Sequence, residues 1–110
     1  MLIDGRCGSS CEEFVLAVRQ SFKVKTFGRP TAGSIDYSNM RPHDLPSGKR
    51  RLFYATSRSL RLPANPIDAS GIAPDQLLPA PENEAAFAAE VETVRGVLEG
   101  RDPRGYRRRR

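Results

Sequence analysis

The sequence is poor in the residues that mark metal centres and disulfide frameworks. It has one histidine and two cysteines. Cys7 and Cys11 do not have Cys-x-x-Cys spacing, and a single histidine cannot complete a tetrahedral zinc site with them. We therefore expect no metal and no cofactor. The first interpretation of the cysteines is two small, half-buried side chains. A Cys7–Cys11 bridge in an oxidising compartment stays open, since a strand end and a first helical turn can lie close together.

Long apolar stretches are missing as well. No apolar run approaches the roughly 20 residues needed to cross a bilayer, and the N-terminus lacks the charged start and apolar stretch of a signal peptide. Instead, Met1 to Asp4 opens directly on the pattern of a buried strand. We therefore expect upstream sequence, the N-terminal half of a domain, to be missing from these 110 residues.

Positive charge is in excess only at the C-terminus. The net charge is +5, but residues 1–103 carry 13 Lys/Arg and 13 Asp/Glu, so the excess is Arg104 and residues 107–110. A terminal run of like charges is typical of a self-repelling tail, and we assign residues 101–110 to a basic disordered tail. The neutral body argues against nucleic-acid binding as the main function. Such a binder would show salt-sensitive binding that disappears without residues 104–110.

The chain that remains has the pattern of an α/β protein built from short elements. A helix is predicted from near Ser10 to Ser21, and a longer one over residues 82–99. The face of the longer helix with Phe87, Val91, Val94 and Leu98 is expected to pack on the rest of the chain. Extended segments are predicted at 2–4, 23–27, 35–41, 51–57 (which residues 60–62 could prolong) and 76–78, with a loop over 42–48.

The segment around Ser9 is the one that suggests chemistry. A strand leads through Gly5 and Gly8 into a serine at the start of a helix. A turn of this kind exposes the hydroxyl, and the free N–H groups at the helix start can bind the oxyanion that forms when a carbonyl is attacked. The alternative is that Ser9 only caps the helix, because serine is also a preferred N-cap residue.

Three motifs in order resemble the tail-specific (C-terminal-processing) serine peptidases. That family carries a Ser-Ala-x-Glu signature opening a helix, then a Val-Gly-Glu-x-Thr-type loop, then a Gly-hydrophobic-x-Pro-Asp motif. The matching segments here are Ser9-Ser10-Cys11-Glu12, Phe27-Gly28-Arg29-Pro30-Thr31 and Gly71-Ile72-Ala73-Pro74-Asp75. The resemblance implies the C-terminal portion of a ClpP/crotonase-like catalytic domain over residues 1–81, followed by a C-terminal helix over 82–100.

The resemblance also implies roles for individual residues. Ser9 takes the nucleophile position, and the backbone N–H of Ser10 that of an oxyanion donor. The lysine of the processing peptidases would fall at Ser34, so the chain is more similar to the tricorn-like branch, whose base is an upstream histidine. Asp68 fits the carboxylate that assists this base, although an ordinary turn aspartate is an equal alternative. His43, alone in a predicted loop, is expected to be solvated.

The function implied is a serine-type peptidase that cleaves peptides or proteins through an acyl-enzyme. Because the base and one oxyanion donor of the family lie upstream, we expect this chain alone to be inactive. The alternative is an inactive peptide-binding or vestigial fragment of such a peptidase. Members of the family are commonly periplasmic or associated with the cell envelope, but this sequence does not define a compartment. Asp75 is expected to be structural.

Overall fold

The structure is a computed structural model that describes residues 1–101. Its elements are β1 (Leu2–Ile3), α1 (Ser10–Val18), β2 (Phe27–Gly28), β3 (Tyr37–Asp44), β4 (Arg51–Arg58), β5 (Gln76–Leu77) and α2 (Glu84–Leu98). The chain is thus a small mixed α/β protein with short strands, as the sequence predicts. Apart from Arg101, the predicted basic tail lies outside the described residues.

A three-stranded parallel sheet in the order β1-β2-β5 forms the centre of the chain. Leu2 is opposite Phe27, and Phe27 is opposite Gln76. The N–H of Phe27 donates to the Met1 carbonyl at 2.8 Å, and the N–H of Gln76 donates to the Thr26 carbonyl at 3.0 Å. The prediction that β1 runs into the helix beginning near Ser10, with the second strand paired alongside, is therefore confirmed.

Two apolar clusters hold the sheet and the helices together. One contains Val15 of α1 and Ile3 of β1, and its other buried members are Cys7, Ile35, Ile67 and Ile72. The second is smaller: Phe27 of β2 packs with Val94 and Val97 of α2, and Leu78 lies against them. Successive side chains of a strand point to opposite faces, and Phe27 is opposite Leu2 rather than Ile3. The two clusters therefore lie on opposite faces of the sheet.

Close packing of β2 on β1 requires the glycine at position 28. Gly28 has φ 119°, and a Cβ atom there would lie 2.2 Å from the carbonyl oxygen of Ile3. No side chain fits at that distance, and the backbone conformation itself is one that essentially only glycine adopts. The Phe27-Gly28 pair of the second motif is therefore a packing requirement of the sheet.

The second strand is shorter than the predicted Lys23–Phe27, because its first half is a turn. The N–H of Val24 donates back to the Ser21 carbonyl at 3.1 Å, and the N–H of Thr26 donates to the Asp75 carboxylate at 2.8 Å. A side chain thus takes the place of a strand partner at Thr26. Strand pairing is restricted to Phe27 and Gly28.

Strands β3 and β4 form a separate antiparallel hairpin. We call residues 37–58 the β3–β4 arm. The predicted loop over 42–48 is wrong in its first half, because β3 continues to Asp44. The chain reverses at a turn in which the N–H of Gly48 donates to the Leu45 carbonyl at 2.8 Å. Residues 60–62 form a turn and do not prolong β4.

The inward face of α2 differs from the predicted Phe87/Val91/Val94/Leu98 stripe. Of these four, only Val94 is buried, whereas Val91 and Leu98 are 56% and 62% exposed. The buried side chains of α2 are Glu90, Val94 and Val97. The reason is an ion pair: Arg29 binds the Glu90 carboxylate and turns Glu90 toward the body. The helix is thereby rotated away from the stripe that apolar periodicity alone predicts.

Within residues 1–101, neither helix combines the length and the apolar character that crossing a membrane requires. The longer of the two, α2, has 15 residues. This agrees with the absence of long apolar runs in the sequence.

Candidate active site at the Ser9 turn

Ser9 lies on the turn that joins β1 to α1, in an unusual backbone conformation. Its φ and ψ are 53° and −118°, outside both helical regions, and the residue is exposed. L-residues other than glycine rarely adopt positive φ, and such outliers concentrate at functional sites, where the surrounding structure holds them in place. We call residues 5–10 the Ser9 turn. It presents a serine hydroxyl on a strained bend between a strand and a helix N-terminus.

The Ser9 turn has the outline of a capping box, but the backbone of Ser9 does the capping. Within the described part of the chain, Ser9 makes no side-chain cap hydrogen bond. The N–H of Glu12 donates instead to the Ser9 carbonyl oxygen at 2.8 Å. In return, the N–H of Ser9 donates to Glu12 Oε2 at 3.0 Å. Ser9 is exposed, and within residues 1–101 its hydroxyl donates no hydrogen bond, so the hydroxyl proton is accessible to a base.

The backbone N–H of Ser10 lies at the start of α1. Ser10 is the first residue of α1, and an N–H in the first turn has no intrahelical acceptor. The positive end of the helix dipole lies at the same point, which favours negative charge there. Ser9 and Ser10 together thus present a hydroxyl and an adjacent backbone donor at one exposed helix start.

The Glu12 carboxylate is the hub of the site. Glu12 is fully buried and, besides the Ser9 N–H, accepts hydrogen bonds from Gly33 N at 2.7 Å and Ser34 N at 2.9 Å. It also accepts from the hydroxyl of Thr31. Burial by itself raises the pKa of Glu12, but these hydrogen bonds outweigh burial, and the pKa lies below its ordinary value. A buried charge that is fully hydrogen-bonded fixes the loops that surround it.

Thr31 links the first motif to the third. Its hydroxyl donates to Glu12 and accepts from the N–H of Ile72 at 2.7 Å. Gly71 permits this approach, because a Cβ atom at its φ of 71° would lie 2.1 Å from the Thr31 carbonyl oxygen. The segments that resemble three separate family motifs therefore meet around one buried carboxylate.

Asp75 makes a second link between the motifs and is structural, as expected. Its Oδ2 accepts from the N–H and the hydroxyl of Thr26 at 2.8 and 2.9 Å, and its own N–H donates back to that hydroxyl. The guanidinium of Arg19, the residue after α1, lies 3.2 Å from Oδ1. Burial raises the pKa of Asp75, but the bonds from Thr26 and the nearby positive charges of Arg19 and Lys25 lower it more strongly.

Asp68 binds residues 35–36, which lead into the β3–β4 arm and which we call its root. Its Oδ1 accepts from the N–H groups of Ile35 and Asp36 at 2.7 and 2.8 Å. Ser34, the residue before Ile35, donates its N–H to Glu12. Adjacent residues of the chain are therefore bound by two different carboxylates, Glu12 and Asp68. Over residues 1–101, Oδ2 of Asp68 accepts no hydrogen bond, so this oxygen is available. The contacts of Oδ1 are those of a turn aspartate, and both interpretations of Asp68 stay open.

Asp36 is a functional-site neighbour that the sequence did not reveal. It is 1% exposed. Asp36 donates its N–H to the Asp68 carboxylate, and in turn its own Oδ2 accepts from Ile67 N and from Asp68 N, the latter at 2.8 Å. The Asp68 N–H is the largest cause of the lowered pKa of Asp36, and the Arg61 guanidinium at 3.2 Å adds to it. No motif marks this residue; only the folded chain shows that Asp36 and Asp68 hold each other.

The two cysteines form a disulfide across the Ser9 turn. Their Cα atoms are 5.3 Å apart, so the interpretation as two separate thiols is wrong and the bridge is the observed state. Cys7 is buried in the first apolar cluster, and its carbonyl accepts from Ala32 N at 2.8 Å. The bridge thereby joins the buried Cys7 to Cys11 in the first turn of α1, and Ser9 lies in the short segment between them.

Among the described residues, neither a lysine nor a histidine lies at the position where the family resemblance would place a base. Ser34, where the processing peptidases carry lysine, lies against the Ser9 turn: a Cβ atom on Gly8 would be 2.9 Å from Ser34 Oγ. His43 is an exposed residue of β3, paired with Leu52 on the arm, so the predicted loop position is wrong but the predicted solvation is right.

Within residues 1–101, no group of three or more His, Cys, Asp or Glu side chains is arranged to hold a metal ion. In the comparisons with known proteins, no family model matches the chain, and the search of curated proteins finds no match. The site is therefore interpreted from its own geometry.

Proposed function

We propose that this chain is the C-terminal part of a serine peptidase catalytic domain of the tail-specific type, closest to the tricorn-like branch and ClpP/crotonase-like in fold. The observation that carries the proposal is the exposed Ser9 hydroxyl on a residue at φ 53° and ψ −118°, between a strand and a helix start. Strain of this kind at a strand-to-helix turn is typical of nucleophilic serines, because it lifts the hydroxyl clear of the backbone.

In this mechanism Ser9 Oγ attacks the carbonyl carbon of a peptide bond, and a base takes the hydroxyl proton. The oxyanion accepts a hydrogen bond from the Ser10 N–H at the positive end of α1. Collapse of the tetrahedral intermediate breaks the C–N bond, and the leaving amine takes the proton from the protonated base. An acyl-enzyme on Ser9 remains, and water then hydrolyses it by the same steps.

The base in this proposal is a histidine contributed from outside these 110 residues. Ser34 carries only a hydroxyl, and His43 lies on the arm. Asp68 supports the base network through Oδ2, while Oδ1 anchors the loop that leads from Ser34 to Asp36. A serine hydroxyl without a base is a poor nucleophile at neutral pH. The chain alone therefore shows little or no peptidase activity.

The network around Glu12 supports the proposal because it supplies preorganisation. Glu12 binds the Ser9 N–H on one side and the Gly33 and Ser34 N–H groups on the other. Sites that perform chemistry need supporting residues that hold the reacting groups within a fraction of an ångström. A serine that only caps a helix does not need a buried carboxylate to fix the loop opposite it.

The test is labelling by a fluorophosphonate probe, followed by mass-spectrometric mapping, in the longer protein that supplies the base. We expect modification at Ser9 and its loss in Ser9→Ala. Ser10→Ala is the matched control: it keeps the backbone donor and should retain labelling and cleavage. Modification of Ser10, or peptide cleavage that survives Ser9→Ala, would show that Ser9 is not the nucleophile.

The same experiment addresses the alternative of an inactive peptide-binding or vestigial fragment. If the longer protein binds peptides but neither reacts with the probe nor cleaves, the Ser9 turn is a relic of the catalytic arrangement. Binding and reaction are thus measured separately.

A further inference from the structure

Charge is segregated in this chain although its body is neutral. The β3–β4 arm carries five Lys/Arg and one Asp, a net charge of +4 (5 − 1). Residues 59–101 carry three Arg and seven Asp/Glu, a net charge of −4 (3 − 7). Because the two sums cancel, composition hides them. The fold separates them in space, since the arm forms its own two-stranded sheet.

Most positive side chains of the arm are not neutralised by the protein itself. Arg51 pairs with Asp44. Within the described residues, no carboxylate forms an ion pair with the other four cations, which are Arg41, Lys49, Arg50 and Arg58. Uncompensated charges of one sign attract a partner of the opposite sign and repel a second arm.

The strand register divides the arm into two different faces. Cross-strand partners share a face, and the pairs Tyr37–Arg58, Arg41–Tyr54 and His43–Leu52 lie on one side, the basic face. The pairs Met40–Ala55 and Pro42–Phe53 form the centre of the other face, the apolar face, between the polar pair Ser38–Ser57 and the ion pair Asp44–Arg51. Met40 and Phe53 are 55% and 58% exposed. The arm thus presents cations and tyrosines on one side and uncovered apolar side chains on the other.

The outer edge of β4 is open for strand pairing. Leu45 N donates to Arg50 O at 3.0 Å, and bonded and non-bonded pairs alternate along an antiparallel ladder. It follows that the N–H groups of Phe53 and Ala55 point away from β3. The outer edge of β3 is less suitable, because Pro42 has no N–H to offer there. Long, exposed edge strands pair readily with another extended chain.

We propose that the arm binds an extended acidic polypeptide as a third strand along β4. Acidic side chains of this partner lie on the basic face, next to Arg58 of β4 and one strand away from Arg41 of β3. Its alternate, apolar side chains lie on the apolar face, next to Phe53 of β4 and one strand away from Met40 of β3. The two faces of a strand alternate with period two, so the sequence recognised is one in which acidic and apolar residues alternate.

The β3–β4 arm is joined to the candidate active site by the segment just before it. Its root, residues 35–36, is bound to Asp68, and Ser34 before it is bound to Glu12. The further interpretation that the bound polypeptide is a substrate guided toward Ser9 rests on the proposed peptidase function. The binding itself does not.

A polypeptide explains the arm better than a nucleic acid does. A nucleic acid would use the cations and tyrosines of the basic face, but it would leave the apolar face and the β4 edge uncovered. Arg41 is opposite Tyr54, four residues from Arg58, so the two unpaired cations are about 13 Å apart along the strand at about 3.3 Å per residue. This wide spacing gives a nucleic-acid backbone few contacts on the basic face. A second copy of the chain paired edge to edge would bring the unpaired cations of both arms together.

The test is fluorescence anisotropy of the 110-residue chain with labelled peptides of about ten residues. One peptide alternates Glu with Val, a second replaces every Glu by Lys, and the third probe is an oligouridylate of similar length. We expect the Glu peptide to bind about tenfold or more tighter than the Lys peptide and to weaken with salt. Equal binding of the two peptides, or tighter binding of oligouridylate, overturns the proposal.

Variants then separate charge from edge pairing. Arg41→Glu with Arg58→Glu should abolish the preference for the Glu peptide, whereas the off-arm control Lys23→Glu should keep it. Ala55→Pro removes an outward N–H and should weaken binding about fivefold or more, while Ala55→Val retains it. Unchanged binding in Ala55→Pro, with its circular dichroism intact, excludes strand addition. Ser9→Ala should bind normally, so failure of the peptidase proposal is distinguishable from failure of this one.

Discussion

The Ser9 turn and the β3–β4 arm lie next to each other in the fold but are held in opposite ways. Around Ser9, the buried carboxylates of Glu12 and Asp36 and the partly exposed carboxylate of Asp75 accept backbone N–H groups from distant segments. On the arm, every residue of β3 is exposed, and its pairing with β4 provides its regular contacts. The comparison teaches that strain at Ser9 is maintained by long-range bonds, whereas the arm keeps its shape by local pairing and leaves its side chains for a partner.

The largest difference in stability between variants of the two regions is expected for substitutions of their glycines. Gly28→Ala would place Cβ 2.2 Å from the Ile3 carbonyl oxygen and should destabilise the body by about 3 kcal/mol or more. Gly48→Ala, at φ 64° with nothing nearby, should cost only about 1 kcal/mol. Urea unfolding followed by circular dichroism compares the two variants. Equal losses would mean that β1 and β2 do not pack as closely as described.

Acid should unfold the body through its carboxylates. The pKa values of Glu12, Asp36 and Asp75 all lie below their ordinary values of 4.5, 3.8 and 3.8. A lowered folded-state pKa stabilises the protein above the unfolded pKa, and this stabilisation is lost as pH falls through the folded value. The free energy of unfolding should be nearly constant from pH 7 to about 5 and should then fall steadily. Urea titrations across this range measure it; a rise toward low pH would contradict the hydrogen-bond assignments.

Removing one of these carboxylates should have a smaller effect than acid. Glu12→Gln introduces an amide donor where four donors converge and should cost about 3 kcal/mol. Glu13→Gln is the matched control on the next residue of α1, since Glu13 is exposed and should change stability by less than about 0.5 kcal/mol. The free energies of unfolding of the two variants should therefore separate clearly, and similar values would remove Glu12 from the centre of the site.

The orientation of α2 can be tested by a matched pair of valines. Val94→Ala removes a buried side chain and should cost about 2 kcal/mol, whereas Val91→Ala, at 56% exposure, should cost less than about 0.5 kcal/mol. Thermal or urea unfolding provides the values. A larger loss for Val91 would restore the apolar stripe predicted from periodicity.

The smallest effect is expected at the ion pair of the arm. Asp44 and Arg51 have side chains 67% and 56% exposed, and exposed pairs contribute about 0–1 kcal/mol. Asp44→Asn should therefore leave stability within about 0.5 kcal/mol of the parent chain, as measured by the same unfolding curves. A clear loss would show that the arm depends on its charges for shape as well as for binding.

Local signals predicted the elements well where the chain itself decides them. Acidic residues in the first turn and a serine before it predicted α1, and the glycine-bearing turn predicted its junction with β1. Local signals failed where a distant group intervened. The segment over 23–26 alternates like a strand, yet Asp75 takes the N–H of Thr26. The stripe of α2 is apolar, yet the helix is turned by the pairing of Glu90 with Arg29.

The sequence by itself determined the α/β character, the position of Ser9 at a strand-to-helix turn and the order of the three motifs, because propensity, capping and glycine act over a few residues. Only the tertiary structure decided that Glu12 is a buried hub, that Cys7 and Cys11 are bonded, and that Asp36 holds Asp68. The Glu12 hub and the Asp36–Asp68 contact depend on segments up to 32 residues apart meeting in space, whereas the Cys7–Cys11 bridge joins residues four apart that local patterns left open. A hydrogen bond between distant residues leaves no trace in the periodicity of either one.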